Sequence, residues 1–382
     1  MKLLFVSNLF PDQRESWRGL DNVTLLHALR QQEPGLDVRV LAFRPSLGWS
    51  GPLPGLKPRP GDEALLPTYH KAAYVPRFGG LNHHLFAFSL ARARRALEPD
   101  FQPDAVLAPW LFPDACAVAA CYPRVPVVAV AQGSDVHQYL RLPMRRRAIL
   151  GLCDRARAVV TRSQDLRHRL VSAGADATRV HAVYNGVHTG VFRPASRAAA
   201  RAQLQMPVEG ALVLFVGNFL PVKGIDLLVE AFARVSRGSA HPATLVLIGS
   251  GPLEPAIRQQ AADLGIGGCL RFVGRQPPEA VALWMQAANA VCLSSHNEGV
   301  PNVVLEAVSS GRPMVSTDVG GIAEVIEPVM SRRFLVSGRD AAVYAAALQD
   351  ALDHPPDEQE LHQKAQQFSW ANCAQRYLQL MH

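Results

Sequence analysis

Short apolar runs alternate with helical stretches along this chain, and the alternation restarts near Ala211. That rhythm restricts the fold more than any other feature. Parallel strands must be joined by crossovers, so repeated strand–helix units build an α/β architecture around a parallel sheet. In the first half, strand candidates fall at 2–6, 37–43, 105–108, 127–130, 158–161 and 180–183, with helical patterns at 20–30 and 81–97. Residues 45–67 are rich in Pro and Gly and read as a long loop. The second series has strand candidates at 211–216, 244–248, 270–273, 290–293 and 314–316, with helices at 224–235, 253–264 and 279–287. A length of 382 residues is comfortable for two domains, and 48% hydrophobic residues can fill two cores. The stretch 193–201 reads as the junction. The expected fold is two Rossmann-like, doubly wound domains facing a central cleft. Ligands in such sheets sit at the carboxyl ends of the strands.

The most informative motif is Ser294-Ser295-His296-Asn297-Glu298-Gly299-Val300-Pro301-Asn302-Val303-Val304-Leu305-Glu306. Pro301 suits the first turn of a helix, where its missing N–H costs little. A helix starting there directs free backbone N–H groups toward Gly299 and Val300, which makes an anion site. Eight residues at helical rise span roughly 12 Å. One carboxylate would then lie at the phosphate end, and the other further down, near a ribose whose hydroxyls it accepts. Two glutamates eight apart are, by themselves, ordinary surface charges; the whole string fits a nucleotide-sugar site.

Further turns carry candidate contacts. Val216-Gly217-Asn218-Phe219-Leu220-Pro221-Val222-Lys223-Gly224 follows a strand and opens a helix, so Lys223 reaches a phosphate as a point charge. It is not a Walker A loop, because no Ser or Thr follows the lysine. Gly249 and Gly251 form a second glycine turn, in Ile248-Gly249-Ser250-Gly251-Pro252. In the first half, Gln132-Gly133-Ser134-Asp135 follows an apolar strand. Asp135 there is either a sugar-hydroxyl acceptor or a turn and helix cap.

The glutamate string resembles the donor-site signature of the group 1 (family 4) glycosyltransferases of the GT-B fold. Every position of S-x-x-E-G-x-P-N-V-V-L-E-A matches, through Ala307. The stretch 216–224 is similar to the family's G-R-L-x-x-x-K-G, with Asn218 where Arg is usual; Arg275 is a candidate replacement cation. Gln132 stands where the family has His or Arg before Gly-Ser-Asp, and of the glycine pair after the first strand only Gly19 remains. The resemblance implies residues 1–190 as the acceptor domain and 191–367 as the nucleotide-sugar donor domain. It also implies a last helix, 368–382, that packs back on the first domain. It implies Glu298, Lys223 and Asp135 as catalytic residues. Asn218, Gly249, Gly251, Arg275, Gly299, Val300, Pro301, Asn302, Val303, Glu306 and Gly19 are implied as donor contacts.

The activity so implied is a retaining, metal-independent hexosyl transfer from a nucleotide diphosphate sugar, UDP- or GDP-linked, to a glycan or lipid-linked acceptor, in cell-surface polysaccharide or glycolipid synthesis. No cofactor is expected, and no D-x-D string is present to hold a divalent cation. A nucleotide-sugar 2-epimerase and a non-catalytic nucleotide-sugar-binding protein are the alternatives.

A net charge of +7 is unevenly spread: arginines crowd 141–169 and 92–95. They read either as a solvated basic face or as attraction to an anionic membrane or acceptor. Nucleic acid is not expected, since no zinc-finger spacing or aromatic–basic interleaving is present. The six cysteines form no C-x-x-C pair and read as buried thiols of a reducing compartment. The opening apolar run stops at Ser7, too short for a signal peptide. A cytoplasmic protein, reaching to the inner face of the membrane, is expected.

Overall fold

The computed structural model describes residues 1–47, 50–76, 79–97, 99–238 and 243–382. Residues 48 and 49 of the expected long loop lie outside that set. The chain divides into two compact units, Met1–Asn185 with Trp370–His382, and Gly186–Ser369. The division falls at Asn185 and Ser369 rather than at 190 and 367.

The first unit holds β1 (Lys2–Ser7), β2 (Asp37–Ser46), β3 (Gly51–Pro52), β4 (Pro67–Ala73), β5 (Ala105–Pro109), β6 (Val127–Ala131), β7 (Ala158–Thr161) and β8 (Val180–Ala182). They lie in the order β3-β4-β2-β1-β5-β6-β7-β8. All pairs are parallel except β3 with β4. β5, β6 and β7 are buried at every residue, as strands covered by helices on both faces must be. β4 was absent from the sequence reading: it begins with Pro67 and carries His70 and Lys71. Its place comes from parallel pairing with β2 and from the buried Tyr69, whose hydroxyl donates to the Pro11 carbonyl at 2.6 Å.

The second unit holds β9 (Ala211–Val216), β10 (Ala243–Ile248), β11 (Leu270–Gly274), β12 (Ala290–Leu293), β13 (Met314–Thr317) and β14 (Leu335–Val336). They form a parallel sheet in the order β11-β10-β9-β12-β13-β14. This is the doubly wound order in which strand progression reverses beside the first strand, here between β9 and β12. The equivalent reversal in the first unit lies between β1 and β5.

The stretch 193–201 is not a junction. Helix Arg197–Gln203 packs against helix Pro278–Ala287 within the second unit. Its buried Arg201 donates to the Ala287 carbonyl at 3.0 Å and to the Asn289 side chain at 2.6 Å. Of the alanines in this stretch only Ala200 is buried with Arg201 against the neighbouring helix; Ala195, Ala198 and Ala199 face solvent. Helix Trp370–Met381 belongs to the first unit and packs on helix Leu20–Gln32. Trp370, Cys373, Ala374, Tyr377 and Met381 line its buried face at helical spacing.

Candidate active site

The loops that leave β9 and β12 meet at the second unit's reversal point. Lys223 Nζ lies 2.6 Å from Glu298 Oε1, and the same oxygen accepts from Ser295 Oγ at 2.6 Å. Backbone contacts hold the pair. His296 N donates to the Val222 carbonyl at 2.8 Å, and Ser294 Oγ to the Lys223 carbonyl at 3.2 Å. Thr317 Oγ1 donates to the Ser295 carbonyl at 2.7 Å. Arg339 donates to the Ser294 carbonyl at 2.7 Å and pairs with Asp226 at 3.2 Å. Lys223 and Glu298 are 75 positions apart in sequence, yet the fold places both within one crevice.

The turn after β10 locks onto the turn after β9. Gly217 N donates to the Ile248 carbonyl at 2.9 Å, and Phe219 N to that of Ser250 at 3.0 Å. Gly249 sits at φ 138°, and a Cβ there would run into the Gly217 carbonyl oxygen. A Cβ at Gly251 would strike the Phe219 backbone. Both glycines therefore let the Asn218 loop lie close against its neighbour. Exposed Arg275, just past β11, donates from Nε to Ser250 Oγ at 2.8 Å, so it is attached to this same turn.

Helix Asn302–Ser309 begins one residue later than the sequence reading placed it, with Pro301 in extended geometry at its N-cap. Residues 298–301 are therefore not helical. Glu306 lies four residues into the helix, roughly 6 Å along its axis from the first turn, instead of 12 Å from Glu298 through continuous helix. Val300 and Val303 are buried, so what they offer a ligand is backbone. The Gly299 carbonyl accepts from Gly321 N at 2.9 Å, which fixes the chain entering the helix.

Two expected site residues lie in the other unit. Asp135 is fully buried. Its oxygens accept from the backbone amides of Leu111 at 2.9 Å, Gln132 at 3.0 Å and Gly133 at 2.9 Å. Burial pushes its carboxyl above the usual range, against the pull of those amides. It ties the Trp110 and Gln132 turns together, the turn role that its place after Gly133-Ser134 allows. Gly19 precedes helix Leu20–Gln32 at φ 66°, where a Cβ would collide with the Leu9 carbonyl.

Sequence reasoning missed a second feature, at the carboxyl ends of β1, β2, β4 and β5. A cavity of about 320 Å³ is walled by Leu9, Tyr74, Phe86, Trp110 and Tyr139, with Asn8 at its polar edge. Trp110 takes the unusual φ of 85° for a non-glycine residue, and its side chain hydrogen-bonds Tyr139. Asn8 is held by fully buried Asp114, which accepts from Asn8 N at 2.7 Å and Asn8 Nδ2 at 2.9 Å. Burial raises the Asp114 carboxyl to about 7, opposed by those hydrogen bonds. The signal available was the stretch Pro109-Trp110-Leu111-Phe112-Pro113-Asp114, which reads as structural.

Two doubly wound units, with a lysine–glutamate pair and the start of a helix at one reversal point, have the architecture of a GT-B fold. Comparison with known proteins makes this specific. Residues 196–368 match the model of the group 1 glycosyl transferases, and residues 17–191 match that of glycosyltransferase family 4. The chain belongs to this glycosyltransferase family. It is 31% identical to a D-inositol 3-phosphate glycosyltransferase of Acidothermus cellulolyticus, across 96% of this chain and 82% of that protein. It is 36% identical to one of Frankia alni, where the match covers 52% of this chain and only 51% of the relative. Among solved structures, Anabaena HepE in complex with UDP superposes with a TM-score of 0.74 at 18% identity, covering 99% of each chain. Sucrose-phosphate synthase of Thermosynechococcus elongatus superposes at 0.77 and 20% identity, over 100% and 98%.

Proposed function

We propose that this glycosyltransferase takes a nucleotide diphosphate sugar in the crevice between β9 and β12, and transfers the sugar with retention and without a metal ion. The observation that carries the reading is the Lys223–Glu298 contact of 2.6 Å beside the start of helix Asn302–Ser309. A diphosphate would compete with Glu298 for Lys223 and accept from backbone N–H groups of Gly299, Val300 and the first helical turn. Glu298, released, would face the transferred sugar, and Glu306 would accept from the ribose hydroxyls. In the transfer, the bond from the anomeric carbon to the phosphate oxygen breaks and a bond to an acceptor hydroxyl forms on the same face. The leaving phosphate oxygen takes the acceptor proton, so no enzyme nucleophile is required. Lys223 and the helix start stabilise the charge that develops on the diphosphate. UDP is the first base to try, because structural neighbours were solved with UDP and UDP-glucose.

The acceptor hydroxyl belongs to a glycan, a lipid-linked sugar or a cyclitol such as the relatives' names imply. Its seat is the aromatic cavity of the first unit, where Trp110 and Tyr139 offer ring faces and Asn8 a polar edge.

Calorimetry with UDP, GDP and ADP and their sugars, without metal, tests the donor site. Wild type, Lys223→Ala and Glu306→Ala run side by side. Tight binding of one nucleotide, weakened at least tenfold by each substitution, supports the assignment and names the base. Absence of binding across the panel by folded protein, or binding that both substitutions leave intact, removes it.

A further inference from the structure

Lys223 stands on one short turn, Pro221–Lys223, between β9 and helix Ile225–Gly238. Its neighbours Leu220, Pro221 and Val222 are exposed. Such a turn does not by itself hold a flexible four-carbon stem over one point of a crevice. A third segment supplies the hold. After β14 the chain turns through Gly338 at φ 80° and enters helix Ala341–Asp353, whose cap Asp340 accepts from the amides of Ala342 at 2.7 Å and Val343 at 3.4 Å. This helix packs on helix Ile225–Gly238. The hydroxyl of its fully buried Tyr344 lies 2.9 Å from the Leu293 carbonyl and 2.8 Å from that of Val315. The start of the helix is thereby fixed under the ends of β12 and β13, and Arg339 projects from it. Arg339 Nη1 donates to the Ser294 carbonyl at 2.7 Å, while Nη2 lies 3.5 Å from the Gly224 carbonyl and 3.2 Å from Asp226 Oδ1. Gly224, at φ 54°, leaves the space: a Cβ there would lie 2.6 and 2.7 Å from the two Nη atoms.

We propose that Arg339 is a positioning residue for the donor diphosphate, setting the distance between the Lys223 ammonium and the amides that begin helix Asn302–Ser309. It acts through Lys223 rather than on the donor itself, and the inference rests on the diphosphate reading of this crevice. The two carbonyls that the guanidinium bridges are the ones that matter for that distance. Gly224 follows Lys223 directly, and Ser294 precedes Ser295, whose hydroxyl donates to Glu298 at 2.6 Å. The pair with Asp226 does not explain the arrangement, because the Asp226 side chain is 70% exposed and such pairs add little to stability. Lysine in place of Arg339 would keep the charge but lack the planar fork that spans two carbonyls. Precision of this kind is what a site for a developing charge needs: a displacement of about 1 Å in a positioned group costs up to about a hundredfold.

A double-mutant cycle read by calorimetry on the whole chain tests this. Wild type, Arg339→Gln, Lys223→Ala and the double variant are compared on whichever of UDP, GDP and ADP binds wild type best. Arg339→Gln alone should weaken binding about fivefold, and less than about twofold once Lys223 is alanine, since no cation is then left to place. A role confined to holding the second unit together would weaken binding by the same factor in both backgrounds, and that outcome overturns the proposal. Wild-type affinity in Arg339→Gln overturns it too. Arg339→Lys guards against a variant that fails to fold. It should melt close to wild type yet recover only a small part of the lost affinity, and full recovery would reject the fork. Failure of the donor reading looks different: none of the three nucleotides binds folded wild type, or Lys223→Ala binds as wild type does, and either result removes this inference with it.

Discussion

The two units share one winding order and differ in what stands at its reversal point. Between β9 and β12 the loops bring together a lysine, a glutamate, close-packed glycine turns and the start of a helix. Between β1 and β5 they bring aromatic walls and a buried aspartate that serves only its neighbours. The sheet fixes where a ligand can lie, and the loops decide which ligand. Charge and backbone amides suit a diphosphate, whereas ring faces suit the body of a sugar or cyclitol. Substitutions at four positions break or sharpen that contrast.

Lys223→Ala should have the largest effect. It removes the one side-chain cation that touches Glu298 among the described contacts. Loss of one such electrostatic contact to developing charge typically costs 10²–10³ in rate, about 3–4 kcal/mol. We expect kcat/KM to fall by about that factor while the melting temperature changes little, because the pair is partly solvated. Steady-state kinetics with the nucleotide sugar that binds best would measure it. An effect under fivefold would place the charge stabilisation elsewhere.

Gly249→Ala should follow. At φ 138°, with the Gly217 carbonyl in the way, an alanine must displace the turn after β10. Strain of this kind costs roughly 1–3 kcal/mol before any repacking. Thermal melting should show the second unit destabilised and nucleotide affinity lowered together. A melt like wild type would mean the two turns are less tightly locked than their hydrogen bonds imply.

The crevice between β9 and β12 was far more legible in the sequence than the cavity, for a physical reason. Lys223, Glu298 and Glu306 sit in strings whose proline, glycines and charges each restrict the local backbone, so the string carries the site. The cavity is assembled from Leu9, Tyr74, Phe86, Trp110 and Tyr139, residues that any core could use and that no local pattern links. Asp135 shows the opposite case. It sits in a string that looks like a site, but the Leu111, Gln132 and Gly133 amides occupy its carboxylate. Whether an aspartate serves substrate or backbone depends on what the fold turns toward it. β4 was missed for a related reason, since a strand starting with proline and carrying His70 and Lys71 is defined by its pairing with β2 rather than by its own pattern.

Asp114→Asn addresses the buried carboxyl of the first unit. Its pKa is raised by burial to about 7 from 3.8. A raised carboxyl pKa means that, between those values, the folded state holds a proton the unfolded state has lost. Stability therefore falls as pH rises from about 4 to about 7, by an amount on the order of a few kcal/mol. Asparagine mimics the protonated form and cannot titrate. Denaturant melts from pH 4 to pH 8 should show that slope in wild type and its loss in the variant. An unchanged slope would assign it to other groups.

Trp110 gives the smallest and most discriminating test. Its φ of 85° is strained for a residue with a side chain, but ordinary for glycine. Trp110→Ala removes the ring from the cavity and keeps the strain. Trp110→Gly removes both. If the strain is real, the glycine variant should be the more stable by about 1 kcal/mol, although glycine usually costs stability relative to alanine. If the ring serves the acceptor, both variants should lose transfer while nucleotide binding stays as in wild type. A fall in nucleotide affinity in both would undo the contrast between the two units, because the first unit's aromatic wall would then be serving the donor.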